Sequence, residues 1–264
     1  MNREPAHHCV TLKFPRVPSR VSEALVLRTY PLKEADLVVS FFTRDQGKLR
    51  GVAKRARRPK GGFGSGLERL SHVRLRYFQR ETRELVNLDS VELIQSQFGL
   101  ASDYLASVAL DYFAEISEQM LPSDEPSERF FRLLLAVLES LREGGEGSVL
   151  RAVNYFSLWA VRLSGWLPEL YACLSCGGAL NEPGERAFFS RGHPGLTCLH
   201  CRRTLGSSNS WELSAGSRAL AAEMLRKPVG EVSTADAVDL RRFLVQQIEA
   251  HVERKLITAP MLET

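Results

Sequence analysis

The chain has 264 residues, 44% hydrophobic and 25% charged, with a formal net charge of +4. This is an ordinary globular composition with enough apolar residues to bury a core, and it excludes disordered and fibrous classes. Apolar runs such as "RLLLAVLESL" (132–141) are too short to span a bilayer, and residues 1–20 hold no apolar stretch of signal-peptide length. The expectation is a cytoplasmic protein with no membrane partner, whose thiols stay reduced unless a metal holds them.

Residues 1–20 read as a flexible, basic, Pro-containing extension. From 21 to 98 the period is that of short strands. "SEALVLRTY" (22–30) and "DLVVSFFT" (36–43) are rich in β-branched and aromatic residues. "RDQG" (44–47) is a turn with Gly at its last position, and "KLRGVAKRA" (48–56) follows. After "GGFGSG" (61–66) come "HVRLRYFQ" (72–79), a polar turn, and "LVNLDSVELI" (85–94). Five strands with turn signals between them predict a small β-barrel, an OB-fold first and an SH3-like barrel as the alternative. From 99 onward the period is helical: 103–120, where Leu105, Val108, Tyr112, Ile116 and Met120 form one stripe, then 128–143, 148–165, 214–227 and 233–256. The last of these opens on a Ser-x-x-Asp capping pattern. The fold class expected is therefore α+β and multidomain, with a five-stranded barrel at 21–98 and an all-α domain at 99–264.

An excursion at about 171–206 interrupts the helices. Cys173-Leu-Ser-Cys176 and Cys198-Leu-His-Cys201 form two pairs, and Gly177 and Gly178 follow the first. Two residues between thiolates let one tight turn present both sulfurs to a metal, so two such turns supply a closed tetrahedral shell for one structural Zn²⁺. Redox chemistry and disulfides are the competing uses of such pairs, and two pairs without an export signal favour zinc. His193 and His200 are reserve ligands, and Cys9 reads as a free thiol.

The charge is unevenly spread. Between Arg44 and Arg83 there are 13 Lys/Arg against 3 Asp/Glu, a local net of +10, which leaves −6 for the rest of the chain. Such a field favours a polyanionic partner. Strand alternation puts Lys48, Arg50 and Lys54 on one face with Val52, and Arg74 and Arg76 on one face with Phe78. Arg55, Arg57, Arg58 and Lys60 sit in the intervening loop. If the two strands are neighbours, these cations make one continuous surface for nucleic acid. Phe78, or an exposed Phe63, is then available to stack on bases. A solvated face with a flexible loop is the bland reading, but few acids are interspersed. No P-loop, G-x-G-x-x-G, nucleophile elbow or two-metal carboxylate cluster is present in the sequence, so no enzyme is expected.

"EALVLRTYPLKEADLVVSFFTRDQGKLRGVAKRARRPK" (23–60) resembles the start of the RecO family of recombination mediators, and "CLSCGGAL…TCLHC" resembles its zinc-bearing branch. The resemblance implies an N-terminal OB-fold, a helical domain and a zinc module. It implies ATP-independent binding of single- and double-stranded DNA and annealing of complementary strands. It also implies, in the RecFOR pathway of DNA repair, cooperation with RecR to load RecA onto DNA coated by single-strand-binding protein. Family DNA contacts carry onto Lys48, Lys54, Arg55, Arg57, Arg58 and Lys60; Arg50, Arg74 and Arg76 come from strand alternation. Residues 1–20 and the C-terminal "RKLITAPMLET" depart from the family pattern. The alternative is a zinc-ribbon regulator acting in transcription or translation. The placement of charge separates the two: the zinc segment has only Arg186, Arg191, Arg202 and Arg203, against Glu182 and Glu185.

Overall fold

The computed structural model describes residues 19–58, 62–79, 84–181, 185–206, 209–233 and 237–263. Cys9 and Lys60 fall outside them. Five strands, β1 (Ser19–Pro31), β2 (Leu37–Thr43), β3 (Gly47–Ala53), β4 (His72–Phe78) and β5 (Leu85–Gln95), close a barrel in the order β1-β2-β3-β5-β4. The long β1 makes closure possible. Its first half, Ser19–Leu25, pairs with β4, and its second half, Ala24–Pro31, pairs with β2. The register shift between Val26 and Arg28 leaves Leu27 unpaired, a bulge that bends the strand from one neighbour to the other. β3 and β5 pair in parallel, which gives the OB-like topology.

Alternation along the strands then sorts the side chains. Ala24, Val26, Val39, Phe41, Leu49, Val73, Leu75 and Tyr77 fill the barrel, and Phe63 and Leu67 from the β3–β4 connection pack on them. Phe63 is only 5% exposed, so the expectation of an exposed stacking aromatic in the glycine loop is wrong. An apolar ring beside an open core end buries itself there rather than staying in water.

Helices α1 (Tyr104–Met120), α2 (Glu128–Glu143), α3 (Ser148–Leu163), α5 (Ala215–Met224) and α6 (Val238–Val252) form the second layer, with a short α4 (Leu199–Thr204) in the cysteine module. The Asp103 side chain caps α1 through the Ala106 amide at 2.7 Å, and Ser127 caps α2. α6 starts at Val238 without a side-chain cap; Ser233 instead donates to Glu223 at 3.3 Å. The cysteine module holds a three-stranded sheet that the sequence reading did not foresee, β7 (Thr197–Cys198), β6 (Ala187–Ser190) and β8 (Ser210–Leu213), in that order.

The barrel and the helices share one core. Leu25, Leu27, Phe42 and Leu70 point out of the barrel and are fully buried among helical residues. The Phe42 ring lies 6.1 Å from that of Phe130 and 5.8 Å from that of Phe131. The β2–β3 turn completes the joint. Gly47 has φ +78°, and a Cβ there would stand 2.4 Å from the Glu125 backbone, so only glycine lets the α1–α2 connection approach. Thr43 Oγ1 donates to the Gly47 carbonyl at 2.9 Å and locks the turn. After α6 the chain returns to α1, where Glu115 accepts from the amides of Ile257 (2.8 Å) and Thr258 (3.0 Å).

Candidate nucleic-acid interface and metal centre

Antiparallel register arranges the outer face of β1-β2-β3 in rows, each further from the helices. The innermost row is Leu25, Phe42 and Lys48, the next Arg28, Ser40 and Arg50, and the third Tyr30, Val38 and Val52. Beyond lie Lys54 and the basic loop. The first row is under the helical layer. Lys48 Nζ donates to the Glu118 carbonyl at 2.6 Å, and burial, more than the nearby charges, lowers its pKa. At the second row the Glu118 carboxylate, reaching across from α1, accepts from Ser40 Oγ at 2.5 Å and Arg50 at 2.9 Å. That hydrogen bond is the main cause of a raised Arg50 pKa. Two of the predicted DNA contacts thus serve as struts between barrel and helix.

The outer end of the same strand differs. Lys54, Arg55, Arg57 and Arg58 are exposed, and none has an acidic partner within 4.0 Å among the described residues. Their backbone is nonetheless held. The Arg55 amide donates to Asp36 Oδ1 at 2.8 Å and the Arg57 amide to the Ala35 carbonyl at 3.0 Å. Arg55 takes φ +56°, a left-handed turn that splays the cations. The acidic residue before β2 therefore works as a clasp on the basic loop.

Arg74 and Arg76 do not join this surface. β5 lies between β3 and β4, so the two basic strands are not neighbours and the continuous surface that neighbouring strands would have made does not form. Arg74 pairs with Glu92 of β5 at 2.9 Å, whereas Arg76 faces solvent opposite Ser90. Phe78 is half-buried opposite Asn87. The sequence reading missed Arg28, Tyr30 and Glu118. Arg28 and Tyr30 were recoverable from the alternation of β1; Glu118 was not, because its role depends on packing across 68 residues of sequence.

The sulfurs of Cys173, Cys176, Cys198 and Cys201 all lie within 4.8 Å of one another, close to the roughly 3.8 Å edge of a tetrahedral Zn–S₄ shell. Two knuckles create this. The Gly177 amide donates to the Cys173 carbonyl and the Cys173 amide to the Gly178 carbonyl, both at 2.8 Å. Gly177 has φ +70°. The Cys198 amide donates to Cys173 Sγ at 3.3 Å, and the Cys201 amide to Cys198 Sγ at 3.4 Å. Burial resists ionisation of Cys173, but amides of Cys176, Cys198 and Ser175 outweigh it and bring the thiol down to about 6. Burial, then hydrogen bonds with the other three sulfurs, pushes Cys201 up to about 12. Four sulfurs so close cannot all ionise unless a cation sits among them. The donor set fits a soft divalent ion. His193 bonds Ser190 at 3.1 Å and is not in the cluster.

The module is tied to the bundle by Arg218 of α5, which is 2% exposed. Its guanidinium donates to the carbonyls of Leu180 and, at 3.2 Å, Glu185, and Tyr171 returns a bond to the Arg218 carbonyl at 3.0 Å. Two of the module's own cations are engaged as well, Arg186 with Glu212 and Arg202 4.4 Å above the Phe188 ring, whereas Arg191 and Arg203 are exposed. A separate groove of 690 Å³ lies between α2 and α3, floored by Leu133, Leu135 and Trp159 and edged by Arg44, Arg129 and Arg132.

Two family models account for nearly the whole chain: "Recombination protein O N terminal" matches residues 20–97 and "Recombination protein O C terminal" residues 101–258. The chain belongs to the RecO family. The DNA repair protein RecO of Koribacter versatilis (strain Ellin345) is 45% identical over 247 residues, covering 92% of this chain and 97% of that one. The DNA repair protein RecO of Anaeromyxobacter sp. (strain Fw109-5) is 31% identical over 243 residues, 90% of this chain and 93% of that one. That of Symbiobacterium thermophilum is 29% identical over 249 residues, 92% and 96% of the two chains. The boundary between the two RecO matches falls in the connection between β5 and α1. The four-cysteine cluster is consistent with the zinc-bearing branch of the RecO family. No helix among the described residues is long and apolar enough to cross a membrane.

Proposed function

We propose that the protein is a DNA-binding recombination mediator that anneals complementary single strands without ATP and also binds duplex DNA. The observation that carries this is the outer end of β3. Lys54, Arg55, Arg57 and Arg58 present charge with no acidic partner among the described residues, on a backbone clasped by Ala35 and Asp36 beside the OB-like face. Cations aimed at phosphate bind without regard to sequence and screen the repulsion between two strands. Annealing makes and breaks no covalent bond, so no catalytic residue is required and the protein is not an enzyme. Lys48 and Arg50 contribute less, because Glu118 and its helix occupy them; Lys60 follows the loop in sequence and adds to its charge, whereas Arg74 and Arg76, beyond β5, lie outside the grip.

The four cysteines hold one Zn²⁺ in a structural role. Four protein ligands leave no open coordination position, so the ion organises the module and supplies no Lewis-acid step. Working with RecR, the protein helps load RecA onto DNA covered by single-strand-binding protein, in the bacterial cytoplasm at the nucleoid. The groove between α2 and α3, where Arg129 and Arg132 have no acidic partner among the described residues while Arg44 is paired with Glu23 and Glu128, suits an acidic segment of a protein partner, with single-strand-binding protein as the first partner to test. The zinc-ribbon regulator has less support, because the module's cations at Arg186 and Arg202 are spent on Glu212 and Phe188.

The test is annealing of labelled complementary oligonucleotides without ATP across a salt series. Charge reversal of Arg55, Arg57 and Arg58 together is expected to abolish most annealing. It should also flatten the log–log salt slope for single strands by about two, from roughly 0.7 per phosphate contact. Unchanged annealing and slope would remove the loop from the mechanism.

A further inference from the structure

The third row of the barrel face has no role in the grip as described so far. Tyr30 stands on β1 opposite Val38 of β2, which stands opposite Val52 of β3. All three are half-buried, and none belongs to the core shared with the helices. Among the described residues no other aromatic ring packs on Tyr30, and its hydroxyl has no hydrogen-bond partner. Two cations neighbour it: the Arg28 guanidinium carbon lies 5.4 Å from the ring centroid, and Arg50 interacts with Tyr30 electrostatically. A core tyrosine buries its ring and pairs its hydroxyl, as Tyr112 does with Ser157 at 2.8 Å. Tyr30 does neither.

Its place between two groups of cations is the second observation. On the helix side the neighbouring row carries Arg28 and Arg50. On the other side are Lys54, Arg55, Arg57 and Arg58. A strand whose phosphates follow these cations brings its bases over the low platform of Val38 and Val52, where Tyr30 is the aromatic side chain of the row. Every base has a π-face, so stacking there adds affinity without sequence preference, and only an unpaired strand offers that face. The Arg28 contact holds the ring in place before DNA arrives.

We propose that Tyr30 is a base-stacking residue that gives the barrel face its preference for single-stranded over duplex DNA. The inference rests on the DNA-grip reading above and adds a contact to bases where that reading has contacts only to phosphate. The experiment compares binding of a dT oligonucleotide, an abasic strand of the same length and a duplex. The proteins are the wild type, Tyr30→Ala, Tyr30→Phe and the loop charge-reversal variant. Tyr30→Ala is expected to weaken dT binding about tenfold or more, the lower part of the range for one stacked base, with abasic-strand and duplex binding unchanged. Tyr30→Phe should keep wild-type affinity, because the ring and not the hydroxyl stacks. Equal loss on dT and abasic strands, or no loss on either, overturns the proposal. If the loop variant weakens all three ligands while Tyr30→Ala weakens none, only the Tyr30 assignment fails. If the loop variant leaves all three unchanged, the grip reading fails and the Tyr30 assignment with it.

Discussion

The barrel and the cysteine module both carry arginines, yet they use most of them differently. At the module Arg186 is turned onto Glu212 and Arg202 onto an aromatic face, and Arg218 of α5 reaches backbone carbonyls of the module, while Arg191 and Arg203 are exposed. In the barrel the same contrast appears along one strand and the loop after it. Lys48 and Arg50 in β3 are bound by Glu118, whereas Lys54, Arg55, Arg57 and Arg58, just past its outer end, have no counter-charge among the described residues. A cation already satisfied inside its own protein has to lose that partner before it serves DNA, while an unpaired one has only water and counterions to release. The count of basic residues therefore says less about a binding surface than their pairing does.

The sharpest way to break this contrast is to empty the metal site proposed for the four cysteines. Cys173→Ser with Cys176→Ser, or chelation, should unfold the module locally, since apparent zinc affinities of about 10 kcal/mol or more are folding free energy in small zinc domains. Hydrogen exchange should then show lost protection in β6, β7 and β8 and retained protection in the barrel strands. Loss of protection throughout would mean that the module supports the whole molecule. Next comes the joint that separates the inner from the outer end of β3. Phe42→Ala removes a fully buried ring from the shared core and is expected to cost about 3–5 kcal/mol, read as a fall in the urea midpoint.

A smaller effect is expected from Glu118→Gln, which keeps the hydrogen bonds to Ser40 and Arg50 but removes the competing charge. Stability should change by less than about 1 kcal/mol, because Arg50 is more than half exposed. Single-strand affinity should rise a few fold, with a salt slope steeper by up to about 0.7 as Arg50 becomes available. An unchanged slope would show that Arg50 does not reach phosphate even when released. The smallest effect concerns the helical layer. Burial opposes the charge of Asp239, but hydrogen bonds from the Ser217 hydroxyl and the Ser214 amide outweigh it and hold the carboxyl below its usual pKa. The stabilisation is complete above the ordinary aspartate range near about 4 and is lost as pH falls through the depressed folded value. The difference in urea midpoint between wild type and Asp239→Asn should therefore be constant near neutrality and shrink on acidification below that range.

Much of this molecule was legible in the residues. Strands of alternating β-branched residues, the helical stripe from Leu105 to Met120 and the paired cysteines each follow from local chemistry, and each forms as expected. The cysteine cluster was the clearest case, because two residues between thiols leave a turn few other uses. The small sheet β7-β6-β8 was not legible, because strands of two and four residues have no period to detect. Phe63 was misjudged because a loop sequence does not reveal an open barrel end beside it.

What the sequence determined by itself, then, was the inventory: which segments extend, which coil, where charge accumulates and which sulfurs converge. Alternation along a strand is a property of the backbone, so it correctly placed Arg50 opposite Leu49 and Arg74 opposite Val73. Only the tertiary structure decided which of those charges remained available. β5 inserted itself between β3 and β4, and Glu118 came across from α1 to Arg50. The physical reason is one of range. Side-chain direction is set within two residues, but a charge is neutralised by whatever the fold brings within 4 Å, and that partner can lie anywhere in the chain.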